Sequence, residues 1–262
     1  MVKVINWNPR KKIFKSSRFF KVKGLERVNN FGDIIGPLIV KEVLKKESIV
    51  NNRFSLLSRR LLTVGSILHF AKNRDTIWGT GRNGKIPYSS HKFRDLDVRA
   101  VRGPLTREFL TKKNINCPEV YGDPALLLPL LFESLQNESE EKRYDLTIIP
   151  NLNDFDLFDD YTQNLIDPRD DLKYIIKRIA KSRFVIGSSL HAIIVAESLG
   201  IPARLIQGRS EPDFKYEDYY LGTGRSGFKA ARNVMSAIDM GGENQVNFGS
   251  RKLMESFPFD IF

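Results

Sequence analysis

Short apolar runs alternate with stretches whose apolar residues recur at helical spacing, and this alternation runs along nearly the whole chain. Val2 to Trp7 reads as a first strand. Further strands are predicted at Leu61-Leu62-Thr63-Val64, Asp75 to Trp78, Val98 to Val101, Glu119 to Tyr121, Leu146 to Pro150, Phe184 to Ile186 and Ala203 to Ile206. Between them, Leu38, Ile39, Val43 and Leu44 predict a helix over Pro37 to Lys46, with Pro37 suited to a first helical turn. Other helices are predicted from Pro104 to about Lys113, over Asp170 to Lys181 and over Leu190 to Ser198, the last ended by Gly200-Ile201-Pro202. Beyond Ile206 the pattern, which includes Tyr216, Tyr219 and Tyr220, assigns no element. The polar stretch Glu133 to Arg143 reads as a boundary, so two units are expected, residues 1–138 and 139–262. The C-terminal segment is expected to pack back on the first unit. Strands alternating with helices imply an α/β fold with largely parallel sheets, and ligands in such folds bind where the strands end.

Composition narrows the class. Hydrophobic residues at 41% exclude a disordered chain, and 262 residues suffice for a sizeable core. The single Cys117 excludes an internal disulfide and, with no tight Cys/His cluster, argues against zinc. The first residues carry no signal-peptide pattern, and no run of about 20 apolar residues occurs, so a cytoplasmic location is expected. The net charge of +11 favours anionic partners. The basic residues are spread along the chain, with one denser stretch from Arg10 to Arg27. That spread disfavours nucleic acid. The mixed basic and aromatic stretch from Arg10 through Lys23 suits either a solvated loop or contact with an anionic membrane at its inner face.

The turns after the strands hold the candidate chemistry. In Phe184-Val185-Ile186-Gly187-Ser188-Ser189-Leu190-His191 a buried strand runs into a Gly-Ser-Ser turn and a helix. Free backbone N–H groups at that helix start favour an anion, and His191 stands beside them as a proton carrier. The plainer alternative is a cap by Ser188 or Ser189 with His191 merely packed. In Arg102-Gly103-Pro104-Leu105-Thr106 the guanidinium of Arg102 suits a carboxylate or phosphate, with the Thr106 hydroxyl near it; taken alone, the turn reads first as a surface Arg with Pro104 as an ordinary helix starter. In Asn30-Phe31-Gly32-Asp33, Gly32 permits a tight turn and Asp33 suits a base or a sugar hydroxyl, or Asn30 and Asp33 only organise the loop and cap the helix. Gly65-Ser66 and Gly79-Thr80-Gly81 are strand exits that let a ligand approach the backbone, and Gly122-Asp123-Pro124 shapes a turn. No serine-hydrolase elbow, Walker loop or dinucleotide fingerprint occurs. His69 and His91 stand in no comparable turn.

Together, Asn30-Phe31-Gly32-Asp33, Arg102-Gly103-Pro104-Leu105-Thr106, Gly122-Asp123-Pro124 and Ser188-Ser189-Leu190-His191-Ala192, followed by Glu197 and Gly200-Ile201-Pro202, resemble the polysaccharide pyruvyl transferase family in order and rough spacing. The resemblance covers about residues 29 to 206. It implies two Rossmann-like domains facing across a cleft, as in GT-B glycosyltransferases, and transfer of a pyruvyl group from phosphoenolpyruvate to a sugar of a cell-surface polysaccharide or its precursor, with no cofactor or metal. It ties Arg102 and His191 to donor binding and catalysis. Many relatives carry an Arg two positions before that His; here the residue is Ser189, and Arg183, Arg209 or Arg225 are candidate replacements.

On this reading Arg102, Thr106, Gly187, Ser188, Ser189 and Leu190 bind the donor. His191 supplies the acid or handles the leaving phosphate, and Asp33 serves the acceptor hydroxyl. Asn30, Gly32, Gly65, Ser66 and Glu197 line the cleft or the acceptor side. The acceptor is a saccharide, lipid-linked on the membrane-bound variant of this reading. A glycosyltransferase using a nucleotide sugar, with Glu197 on the ribose, is the alternative within the fold. A non-enzymatic module for anionic glycan or nucleic acid is the alternative outside it.

Overall fold

In the computed structural model of the chain, residues 2–13, 22–51, 59–243, 246 and 249–262 are described. The first sheet contains β1 (Val2–Ile5) and, after the antiparallel pair β2 (Arg10–Ile13) and β3 (Val22–Arg27), β4 (Arg59–Leu62), β5 (Asp75–Trp78) and β6 (Leu96–Ala100). Its order is β1-β4-β5-β6 and every pairing is parallel. The second sheet is β7 (Tyr144–Ile148), β8 (Ser182–Gly187) and β9 (Ala203–Leu205), again parallel throughout. All four residues of β5 are buried, as are Val185, Ile186 and Gly187 of β8, which is the continuous burial that parallel strands covered on both faces require.

The helices are α1 (Phe31–Lys46), α2 (Pro104–Thr111), α3 (Leu128–Leu131), α4 (Glu133–Glu140), α5 (Leu172–Ala180), α6 (Leu190–Ser198), α7 (Phe214–Gly222), α8 (Val234–Met240) and α9 (Ser250–Glu255). One apolar cluster unites Phe31, Ile35 and Ile39 of α1 and Trp78 of β5 with Ile175 and Ile179 of α5 and Ile193 and Ile194 of α6. The two sheets are therefore joined by a shared helical core, with α1 packed on α5 and α6. A second cluster around Leu62, Ile77 and Phe109 covers the outer face of the first sheet, and a third around Phe158, Ile186 and Val234 covers that of the second.

Two expectations from the pattern need correction. Helix α1 starts at Phe31, six residues before Pro37, so Pro37 lies inside the helix. Proline leaves one intrahelical bond unmade, that to the Asp33 carbonyl. Glu119 to Tyr121 forms no strand among the described residues; Tyr121 makes one isolated parallel bridge to Val101. The polar stretch from Glu133 is helical, because Leu135 buries itself and Glu138 meets Lys177 of α5. The unassigned tail contains α7, α8 and α9. Of the basic stretch, residues 14–21 lie outside the described residues.

The last residues lie against the first sheet. Trp78 Nε1 donates to the Leu253 carbonyl at 3.0 Å, the Phe257 ring meets the Trp78 ring edge-on at 4.8 Å, and Arg99 forks onto Asp260 at 2.8 and 2.9 Å.

Cys117 is buried in the second cluster, and that burial pushes its thiol up to about 12. Only thiolate reacts with a disulfide reagent. Titration with 5,5′-dithiobis(2-nitrobenzoate) at pH 8 should leave the native thiol unmodified, and unfolding in guanidinium should release one equivalent.

Candidate functional site

The carboxyl ends of both sheets open on one cavity of about 310 Å³. Trp7 enters it after β1, Ser66 and His69 after β4, and Asn83 and Lys85 after β5. From the second sheet come Asn151 and Asn153 after β7, Ser189, Leu190 and His191 after β8, and Glu211 and Lys215 after β9. Asn30 and Asp33 reach it from the first turn of α1. The site thus sits where α/β sheets bind ligands, and two helix starts face into it.

Those two starts touch. Gly32 lies against the imidazole of His191, so closely that a Cβ there would stand 2.7 Å from His191 Cγ and 2.9 Å from its Cβ. The missing side chain is what lets α1 and α6 meet. Beside it, Asp33 is half-buried and accepts a short hydrogen bond from the Asn30 amide. Burial raises the Asp33 pKa above 3.8, and the Asn30 bond, His191 and Lys215 pull against that rise. A raised carboxyl is suited to proton transfer near neutral pH. Gly65, with φ +102°, brings its strand exit close to Asp33 without a side chain in the way.

His191 is 13% exposed, and its Nε2 stands 3.5 Å from Oδ2 of the fully buried Asp123. That is longer than an ordinary hydrogen bond. Neither atom has another partner, and the other Asp123 oxygen is taken by the Ala125 N–H at 3.0 Å. The pairing orients the ring edge-on to Asp123 and leaves Nδ1 on the Gly32 side. Asp123 was legible only as a turn residue; its second role depends on α6, far along the chain.

Behind Ser189, the turn is held by backbone. Gly187 adopts φ +152°, and any Cβ there would collide with the Ile149 carbonyl. Ser188 Oγ accepts from the Asn151 N–H at 2.9 Å, and its carbonyl accepts from the Tyr216 hydroxyl at 2.8 Å. Ser189 is the N-cap of α6 but its side chain makes no capping bond.

Arg102 and Thr106 lie behind the cleft rather than in it. Arg102 is 1% exposed and its donors are engaged: Nε with Asp218 at 3.0 Å, one terminal nitrogen with Ser66 Oγ at 2.6 Å, the other with the Arg82 carbonyl at 2.8 Å. Asp218 also accepts from the Thr106 N–H at 2.9 Å and the Thr106 hydroxyl at 2.6 Å. The expected donor grip by Arg102 is corrected accordingly: the guanidinium positions Ser66, and only Ser66 reaches the cavity. Glu197 is corrected as a cleft residue too. It lies at the far end of α6, bonded to Arg225 at 2.7 and 3.1 Å and to the Tyr219 hydroxyl at 2.5 Å. The pattern missed Trp7, His69, Asn83, Asn151 and Asn153 in the lining and, among charged residues, Lys85, Glu211 and Lys215. Burial lowers the Lys215 pKa against the opposing pull of Glu211; in Glu211 the two lysines outweigh burial and hold the carboxyl low. No cluster of three or more metal-binding side chains occurs among the described residues.

A model of the polysaccharide pyruvyl transferase family matches residues 30–208. The chain belongs to this family. Its match runs from Asn30 to Gly208 and so includes both helix starts of the cleft, while Glu211, Lys215 and Asp218 fall beyond it. The succinoglycan biosynthesis protein ExoV of Rhizobium meliloti (strain 1021) is 28% identical over 174 residues, 61% of this chain and 52% of that protein. An uncharacterized protein of Acanthamoeba polyphaga mimivirus is 29% identical over 170 residues, 60% of this chain and 57% of that one. The chain therefore spans little more than half the length of these relatives. A functionally uncharacterized protein from Klebsiella pneumoniae has a solved structure that covers 73% of this chain and 83% of its own, at 14% identity and TM-score 0.43.

Two outcomes follow for the site's scaffold. Asp218→Ala strands the Arg102 guanidinium in the interior, which should cost about 3–5 kcal/mol in denaturant unfolding. Gly32→Ala should displace the His191 ring, leaving the far-UV circular dichroism native while a one-dimensional NMR spectrum shows the His191 ring protons shifted.

Proposed function

We propose that this family member transfers the pyruvyl group of phosphoenolpyruvate onto two hydroxyls of a saccharide, forming a cyclic ketal and releasing phosphate. The observation that carries this reading is the meeting of His191 and Asp33 at the cavity's two helix starts, one ring backed by a buried carboxylate and one carboxyl raised by burial. Family membership supports the reaction class. The relative named for succinoglycan biosynthesis supports a polysaccharide as the destination. On this reading the two parallel sheets are two Rossmann-like units facing across the cleft in the GT-B manner.

The chemistry needs one proton delivered and two removed. His191, protonated, gives its proton to the methylene carbon of the donor, and positive charge develops on the neighbouring carbon. An acceptor hydroxyl attacks that carbon while Asp33 as carboxylate takes its proton. Phosphate then leaves, carrying its bond electrons, and the second hydroxyl closes the ketal as its proton passes to the departing phosphate. Asp123 stands behind the His191 ring and orients it. The start of α6, which no side chain caps, faces the donor's negative groups. The acceptor is a lipid-linked or free saccharide met in the cytoplasm at the inner membrane face; no helix among the described residues is long and apolar enough to cross a membrane.

The test is phosphate release from phosphoenolpyruvate in the presence of candidate glycan acceptors. His191→Gln should lower kcat by about 10²–10⁴-fold with little change in melting temperature; unchanged kcat at saturating donor contradicts the assignment. The Asp33 carboxyl must be ionised to act as base. Its raised pKa therefore places the acidic limb of the kcat/KM profile above pH 3.8, activity rising with pH through it, and Asp33→Asn should abolish that limb with most of the activity.

A further inference from the structure

We propose that Lys85 and Lys215, coupled through Glu211, form the anion-binding site of the cleft and hold the phosphate of a phosphate monoester. For the donor's identity this rests on the phosphoenolpyruvate reading; the site itself stands on geometry. None of Arg183, Arg209 and Arg225 supplies a free guanidinium to the cavity. Arg183 pairs with Asp145 at 3.2 Å, Arg209 grips Asp156 with both contacts at 2.6 Å, and Arg225 is bound to Glu197. None of the three lines the cavity, and Arg102 is committed to Asp218. Among the described lysines and arginines, the two that do line it are Lys85 and Lys215.

Their arrangement is what an anion needs. Glu211 takes Lys85 Nζ on one oxygen at 2.5 Å and Lys215 Nζ on the other at 3.0 Å. Two ammonium groups thus share one carboxylate, which leaves a surplus positive charge and unused N–H donors on both. Lys215 is only 6% exposed, so its charge is screened weakly by water and acts strongly on anything bound beside it. Burying an ammonium is costly, and a second anion would repay that cost. In the same cavity α6 presents its start at Ser189 and His191, so a phosphate bound there would have donors from both the lysines and the helix start within the lining. Lys85 comes from the exit of β5 and Lys215 from α7, two elements that the chain brings together only in the fold.

The probe is inorganic phosphate, titrated into the full chain at constant ionic strength with chloride as control, read as a melting-temperature shift. The wild type should gain stability with phosphate beyond the chloride control, and Lys85→Met and Lys215→Met should each weaken the apparent phosphate affinity about 10- to 100-fold. Lys85 is 40% exposed, so its variant should fold even where Lys215→Met does not. A wild type without a phosphate-specific shift, or Lys85→Met with wild-type phosphate affinity, overturns the proposal. The donor reading is separable. Phosphate binding through the lysines without turnover of phosphoenolpyruvate by the wild type would remove the donor and keep the site. Turnover with an unchanged KM for phosphoenolpyruvate in both variants would keep the donor and remove the site.

Discussion

The buried pair of Arg102 and Asp218 is the constraint on which the cleft depends. Two opposite charges in the interior are tolerable only when their remaining donors and acceptors are satisfied. Here Ser66, the Arg82 carbonyl and Thr106 do that. The result is a rigid joint between α7 and the exit of the first sheet. The backbones meet so closely that Gly103 and Gly222 have no room for a side chain: a Cβ on Gly103 would strike the Asp218 carbonyl, and one on Gly222 would strike that of Arg102. Two and three residues before Asp218 on the same helix, Tyr216 bonds the Ser188 carbonyl of the second sheet's turn and Lys215 enters the cavity. One residue after it, Tyr219 bonds Glu197 of α6. A single short helix thereby fixes the two sheet exits relative to each other.

With that distance fixed, the two helix starts can carry opposed chemistry at short range. Gly32 lets α1 approach the His191 ring, and Asp123 holds the ring's other edge. Asp33 is half-buried in the same place and its desolvated carboxyl resists ionisation, while the Asn30 bond, His191 and Lys215 limit how far. Acid and base are kept distinct by surroundings rather than by residue type: an imidazole against a buried carboxylate on one side, a desolvated carboxyl on the other.

The alternation of strands and helices was legible because parallel strands covered on both faces must be apolar throughout, as β5 and β8 are. The turn at Gly187 to His191 was legible for the same reason, since a buried strand followed by small residues and a helix leaves few alternatives. Helix α7 was illegible because its buried face carries Lys215 and Asp218 as well as three tyrosines, so burial and polarity no longer coincide. The role of Arg102 failed to read for a related reason: its partner lies 116 residues away in sequence, and a buried arginine and a ligand-binding one look alike until that partner is placed. Pro37 misplaced the start of α1, because an interior proline mimics a first-turn one, although the capping role open to Asn30 was legible and Asn30 is the N-cap.

The most direct measurement of the central claim is a crystal structure of the chain with phosphoenolpyruvate or a non-hydrolysable phosphonate analogue bound. The account predicts the anion in the cavity between Lys215 and the start of α6, with the reacting carbon within reach of His191 and an open path from it to Asp33. An analogue bound outside that cavity, or held in it with its reacting carbon turned away from His191, would contradict it.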